Sequence, residues 1–421
     1  MRWFSFPARN PTLVFSYCVN SLLHPVREVV GLAAALGAIG GITFYLACLW
    51  SVRPYLKTRV APLQSESGER SSKDLPPVSI LKPLKGEDPE MYEGFRSYCL
   101  QQYPQYEIIF GVNDKHDPAI ASVERLQQEF PKHSIHLLVS PETLGENAKV
   151  SNLAHMVRAS RYDHFVVSDS DIRIESDYLQ QVIAPLQSEK TGMVTCLYRG
   201  IAGATLGSRL EALGISTDFC AGVLVARAIE GGLSFALGST MAFRRRDLEA
   251  IGGFESFVDY LADDYELGRR IAGLGLAVHL SEVVVETFLP NYDLRQFFQH
   301  QLRWARGVRD SRRGGYVGLL FTFGWIWSLL AVLATGGARW AWALAAVAAL
   351  SRFLVALTVG KGVLDDPQVI RFLPLLPLRD LAALATWFAS FGSDTIDWRG
   401  DKFRLKNGKL VRLTTDKEQS T

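Results

Sequence analysis

The chain has 421 residues, 48% of them hydrophobic, with a mean hydropathy of +0.09, which excludes an ordinary fully soluble protein and calls for membrane-spanning segments. Lys and Arg number 45 against 43 Asp and Glu, so a net charge of +2 excludes an electrostatic nucleic-acid binder. The five cysteines, Cys18, Cys48, Cys99, Cys196 and Cys220, are odd in number and scattered, which argues against a disulfide framework or metal cluster and fits a reducing compartment.

In chain order, Val29 to Val52 is uncharged. As a helix it spans roughly 36 Å, ample for a hydrocarbon core of about 30 Å, and it reads as an uncleaved anchor. Within it Gly37 and Gly41 form a GxxxG able to pack a helix. Gln64 to Pro77 is a polar linker. From Val78 to Pro290 the pattern predicts a globular domain. Strand-like runs (78–81, 107–112, 135–139, 164–167) alternate with helical ones (89–100, 119–130, 149–159). That alternation predicts an α/β domain built on a largely parallel sheet, whose ligands collect at the carboxyl ends of the strands. Asp293 to Arg313 predicts an interfacial basic helix. Gly315 to Ala338 and Trp340 to Gly360 are further spans, the last carrying Arg352. Ile370 to Phe391 holds Pro374, Pro377 and Arg379-Asp380, and reads equally as a full span or a re-entrant hairpin. Asp397 to Thr421 is a polar, basic tail whose amphipathic start, Trp398-Arg399-Gly400, suits a membrane surface. Basic residues after the first span (Arg53, Lys57, Arg59) and before the second (Arg306, Arg309, Arg312, Arg313) place the domain in the cytoplasm.

The chemistry centres on Asp169-Ser170-Asp171 at the end of the run His164 to Val167. Carboxylates two apart share a strand face, and a turn after Asp169 lets both converge on one divalent cation held against a diphosphate. Asp114 closes the second strand, where a carboxylate can accept the N3 hydrogen of uracil. Gly145 to Asn152 sets a turn and Lys149 at a helix start suited to phosphate. Asp263-Asp264 pairs two acids whose repulsion raises a pKa, as a general base requires; a solvated helix start explains them equally well. Arg303, Arg306, Arg309 and Arg312 recur every three residues as a basic stripe. It can bind anionic headgroups, or Arg303 can neutralise a departing diphosphate while Trp304 packs on sugar or acceptor. No G-x-S-x-G, P-loop or dinucleotide fingerprint is present.

This order of motifs resembles the inverting family-two glycosyltransferases of GT-A fold. Val78 to Gly86, Asp114 to Ile120, Ser168 to Ile174 and Trp398-Arg399-Gly400 resemble, more narrowly, the ceramide glucosyltransferase family and its bacterial relatives acting on hopanoid lipids. The resemblance implies a membrane enzyme that transfers a sugar from a UDP-sugar to a lipid hydroxyl with inversion, glucose to ceramide first and N-acetylglucosamine to a hopanoid polyol second. It implies that Asp114 binds the nucleotide, Asp169 and Asp171 hold Mg²⁺ or Mn²⁺ and the diphosphate, Asp264 is the base, and Arg303 and Trp304 close the site. His300 stands where that last motif carries Gln or Arg, and is expected against the donor. The expected location is a bacterial inner membrane with the catalytic domain cytoplasmic. A processive polysaccharide synthase and an inert membrane scaffold are the competing classes.

Overall fold

The structure, a computed structural model, describes residues 11–60, 75–398 and 401–413. Most of the expected linker, together with Arg399, Gly400 and the end of the tail, lies outside the described residues. The chain forms two compact units, residues 1–47 with 318–354, and residues 48–317 with 355–421.

The helix α1 (Pro11–Val60) supplies a candidate membrane span over Val26–Lys57. The expected second span is a bent pair. Arg313–Thr322, which contains α11 (Arg313–Gly318), meets α12 (Gly324–Ala334) at 56°. The expected third span is matched by a candidate span made of α13 (Arg339–Val355) continued by a π turn, Ala356–Val363. Both GxxxG glycines make close contacts on α12: a Cβ on Gly41 would lie 2.1 Å from the Gly324 Cα, and one on Gly37 would enter the Trp327 ring at 2.5 Å. Backbone approach of this kind is what small residues permit.

The second unit carries an eight-stranded sheet. Its first four strands are β1 (Val78–Pro83), β2 (Tyr106–Val112), β3 (Ile135–Val139) and β4 (His164–Val167), all parallel in the order β3-β2-β1-β4. They alternate with α2 (Met91–Cys99), α3 (Ala119–Glu129) and α4 (Ala148–Ala159), each starting or ending within two residues of the expected run. The far half is mixed: β5 (Ile172–Arg173), β6 (Thr191–Ile201), β7 (Met241–Arg244) and β8 (Ala277–Phe288) continue the order β4-β7-β6-β8-β5, and only β6 and β8 pair in parallel. Phe95, Phe110, Val166 and Tyr178 pack one face of the sheet, the last from α5 (Tyr178–Ile183). Each contributes roughly 1.5–3 kcal/mol of burial.

Between β6 and β7 run α6 (Leu206–Gly214), a π turn (Ile215–Phe219) and α7 (Cys220–Glu230). Together they are apolar and long enough to cross a membrane, yet 61% of their most apolar window is buried inside the protein. We assign them to the domain core. Their charges, among them Glu211 and Asp218, had masked the run in the sequence. After β7 come α8 (Arg245–Ala250) and α9 (Asp263–Gly273).

The basic helix is α10 (Leu294–Ser311), started by a capping box between Asp293 and Gln296. Its stripe does not face headgroups throughout: Arg306 donates to the Thr395 carbonyl, and Arg309 to the Ser390 and Ser393 carbonyls and Asp394. Residues 370–391 form α14 (Gln368–Phe372), a 3₁₀ turn containing Pro374, and α15 (Leu376–Ser390). Among the described residues this stretch does not meet the length and hydropathy of a span. Its Arg379 and Asp380 are buried where α15 packs on α10 and α6, and the Arg379 guanidinium lies 3.4 Å from Gln301 Oε1. Leu378, Leu381 and Phe388 are exposed on its outer face.

The described part of the tail is not an irregular polar segment. It folds into an antiparallel sheet of β9 (Thr395–Trp398), β10 (Asp401–Lys406) and β11 (Lys409–Arg412), whose core is Ile396, Phe403, Leu405 and Leu410.

Candidate active site

β1, β2 and β4 end at one rim, where the strand order departs from β1 in both directions, and a cavity of about 790 Å³ opens there. Such switch points collect ligands. Asp169 and Asp171 follow β4 directly and line the cavity. The turn that carries them is fixed from below. Ser168 Oγ meets the Tyr98 hydroxyl at 2.5 Å and donates to the Ser239 carbonyl at 3.0 Å, while the buried Lys82 Nζ donates to the Asp169 carbonyl at 2.7 Å. Burial pulls the Lys82 ammonium down to about 7 against the charges of Asp171, Asp169 and Asp88. Its Nζ lies 3.9 Å from the Tyr98 ring centre. Asp171 accepts from Thr287 Oγ1 at 2.6 Å, and burial, then the Asp169 charge, pushes its carboxyl up to about 6.

Lys149 sits in the first turn of α4, which is capped by the fully buried Asn147. Its ammonium bridges Asp169 Oδ1 at 2.8 Å and Asp263 Oδ2 at 3.0 Å. Burial opposes that charge, but Asp169, Asp263 and Asp264 outweigh it and hold the Lys149 pKa above the ordinary lysine value. The sequence expected this lysine to meet phosphate; here it ties the two acidic motifs together.

Asp264 accepts from the Gly238 N–H at 3.0 Å and from the Tyr265 N–H at 2.7 Å. Burial first, and the neighbouring Asp263 charge second, push its carboxyl up to about 6, with Lys149 opposing. Gly238 separates this acid from the first. A Cβ there would lie 3.2 Å from Asp169 Oδ2 and 3.4 Å from Asp264 Oδ2, so both carboxylates approach one point.

His300, Arg303 and Trp304 line the same cavity from α10. Arg303 lies over the Trp398 ring at 6.0 Å, and His300 stacks on Tyr292 at 5.5 Å and meets Trp304 at 5.0 Å. Asp114 is not brought to this group. It is exposed, accepts from the His116 N–H at 2.9 Å and does not line the cavity, whereas Asn113 does.

Three contributors escaped sequence reasoning. Gly238 had no motif around it. Lys82 appeared only inside a family-like string, although a lysine within an otherwise apolar strand is a signal in itself. The C-terminal sheet was read as a tail. It pairs with the segment preceding Asp263: the Leu410 N–H donates to the Asp259 carbonyl at 2.7 Å, and the Leu261 N–H to the Gly408 carbonyl at 3.0 Å. From the other side Asn147 Nδ2 donates to the Tyr260 carbonyl at 2.7 Å.

Among the described residues no group of three or more His, Cys, Asp or Glu side chains is placed to hold a metal alone. The donor set nevertheless fits a Mg²⁺-type ion, which needs one or two carboxylates and takes its remaining ligands from phosphate and water. Asp169 and Asp171 are hard oxygen donors, and a cation would offset the burial, and then the Asp169 charge, that raise the Asp171 carboxyl.

The chain is similar in sequence to known glucosyltransferases. Ceramide glucosyltransferase 3 of Caenorhabditis elegans is 29% identical over 280 residues, covering 66% of this chain and 59% of that one. Ceramide glucosyltransferase 1 of the same organism is 27% identical over 233 residues, covering 55% and 50%, so the chain spans little more than half the length of these relatives. The ceramide glucosyltransferase of Komagataella phaffii is 33% identical over 132 residues, 30% of this chain and 26% of that one. In fold the chain is similar to a mannosyltransferase from Pyrobaculum calidifontis solved with GDP-Man and Mn²⁺, with a TM-score of 0.51 at 20% identity over 86% of this chain and 99% of that one. Residues 33–411 match the family described as Glycosyl transferase family 21, and the chain belongs to that family.

Proposed function

We propose that this protein is a membrane-bound inverting glycosyltransferase that moves a hexose from a UDP-sugar to a lipid hydroxyl, glucose to ceramide being the first pairing to test. The observation that carries the reading is the convergence of Asp169 and Asp264 on either side of Gly238, with Lys149 bridging Asp169 to Asp263. One acid faces the donor's diphosphate and the other a nucleophile, which is the geometry of a single displacement. Asp264 takes the proton of the lipid hydroxyl, the oxygen bonds to the anomeric carbon, and the bond to the diphosphate oxygen breaks as UDP leaves. A divalent ion held by Asp169 and Asp171 supplies positive charge to that diphosphate when bound. Lys149, kept cationic, and Arg303 add fixed positive charge to the same cavity. With no enzyme carboxylate attacking the sugar, the anomeric configuration inverts.

The tail sheet and the catalytic domain belong to one unit, so an even number of crossings separates them. The bent pair and α13 supply two, and α14 with α15 enters and leaves on one face. The two then share one side of the membrane; the basic residues flanking the first and second spans favour the cytoplasmic side, and a bacterial inner membrane, whose lipid reaches the site with its hydroxyl, is the proposed setting.

Purified protein in detergent, given UDP-glucose or UDP-N-acetylglucosamine with ceramide or a hopanoid polyol, should yield a β-linked glycolipid by mass spectrometry and NMR. An α-linked product would overturn the single displacement. A long polysaccharide instead of a glycolipid would overturn the lipid-acceptor reading.

A further inference from the structure

Glu211, on α6, is 1% exposed and lines the catalytic cavity. Neither of its carboxylate oxygens accepts a hydrogen bond among the described residues. His300 Nδ1 lies 2.9 Å from Oε1, a contact that needs a proton on Nδ1 and lacks hydrogen-bond alignment. Buried carboxylates are normally satisfied, because an unmet acceptor keeps its whole desolvation cost. Inside a ligand cavity, a donor on the ligand can meet such a group.

The surroundings define that ligand. From Glu211 the wall continues through the stacked Tyr292 and His300 to Trp304, and on to Phe219. It ends at the mouth, where Trp304 is 37% and Val308 50% exposed. The π turn helps to build it. Glu211, Ile215 and Phe219 are four residues apart, a spacing that drifts around an ordinary α-helix, and the wider turn takes back part of the drift so that all three line the cavity. The wall is aromatic toward the outside and holds one anionic acceptor at its inner end. It therefore fits an amphiphile whose polar head enters first.

Resting on the lipid-acceptor reading above, we propose that Glu211 is an acceptor-recognition residue: its carboxylate takes a hydrogen bond from a second donor, a hydroxyl or amide N–H, beside the lipid hydroxyl that is glycosylated. Asp264 acts on the reacting hydroxyl; Glu211 reads the head that carries it. Specificity then lies in the pattern of donors on the lipid head, and an acceptor lacking the second donor leaves the carboxylate unmet.

The test compares wild type, Glu211→Leu and Glu211→Gln on ceramide in detergent micelles and on its N-methyl and 3-O-methyl analogues, with UDP affinity measured by titration. Wild type should disfavour one methylated analogue by on the order of 10²-fold in kcat/KM, the scale of a hydrogen bond to a charged group. Glu211→Leu should lose a similar factor on ceramide, mainly through KM, no longer distinguish that analogue, and keep its UDP affinity. Glu211→Gln, which retains one acceptor oxygen, should recover part of the loss and serves if the leucine variant does not fold. Unchanged discrimination in the variants would overturn this inference alone. A wild type that binds UDP but glycosylates neither ceramide nor a hopanoid polyol would overturn the lipid-acceptor reading and this inference with it.

Discussion

Transfer should fail in acid with a midpoint near pH 6, and the Asp263→Asn variant should move that midpoint down. A carboxylate base works only when deprotonated. With the Asp264 carboxyl pushed up to about 6, about nine in ten copies are ready at pH 7 and about one in ten at pH 5, so kcat/KM should fall about tenfold between them. The structure also names what sets the midpoint. Burial is the larger cause and remains in the variant; the Asp263 charge is the next, and it is removed. Lys149 loses a partner at the same time, so its ammonium lowers the Asp264 pKa with less competition. Both effects have the same sign. The assay is the initial rate of labelled glucose transfer to micellar ceramide from about pH 5 to 8, read as kcat/KM because that quantity reports the free enzyme. Asp264→Asn should lose about 10² to 10⁴ in turnover and show no acid limb of its own. An acid limb left in place by Asp263→Asn, or near-native turnover in Asp264→Asn, would refute the assignment of the base.

Gly238→Ala sets a methyl between Asp169 and Asp264 without backbone strain, and should cost about 10- to 10²-fold in kcat with little change in Tm; full activity would mean that the gap is not used. Asp169→Ala, and less severely Asp171→Ala, should weaken UDP-sugar binding only when Mg²⁺ or Mn²⁺ is present, which titration with and without EDTA decides. Phe403→Ala, in the small core of the C-terminal sheet, should cost about 3–5 kcal/mol locally and speed hydrogen exchange at the amides of Asp259 to Leu261; unaltered exchange there would show that the sheet does not support the base. A cysteine at the exposed Lys402 should react with an impermeant reagent only after permeabilisation, and labelling of intact cells would place the tail on the other side.

The parallel half of the domain was legible because each strand there is a short apolar run bounded by turn residues, and each helix has a separate polar face. The same logic failed beyond β4. There β6 and β8 pair across about eighty intervening residues, and periodicity carries no information on partners so distant. Asp169, Asp171, Lys149, Asp264, Arg303, Trp304 and His300 were legible as motifs, and the fold gathers them at one cavity. Asp114 was picked for its place at a strand end, but the turn that follows directs it outward while Asn113 takes the cavity side. Lys149 was read as a phosphate ligand because a helix start favours anions; its two carboxylate partners lie far away in sequence. The tail was misread because its strands are short and charged on their outer face, with only Ile396, Phe403, Leu405 and Leu410 turned inward.

The pairing of β11 with the segment ahead of Asp263 has a consequence for the order of biosynthesis. Asp264 leaves the ribosome long before Arg412 does, by about 7 to 30 s at ordinary elongation rates. During that interval the segment ahead of α9 lacks the strand that backs it, while α12 and α13 are being made. The backing of that segment therefore arrives with β11, after α12 and α13 have been made. A nascent chain stalled before Thr395 would carry Asp169, Asp171, Asp263 and Asp264 without the strand that backs the segment ahead of Asp263.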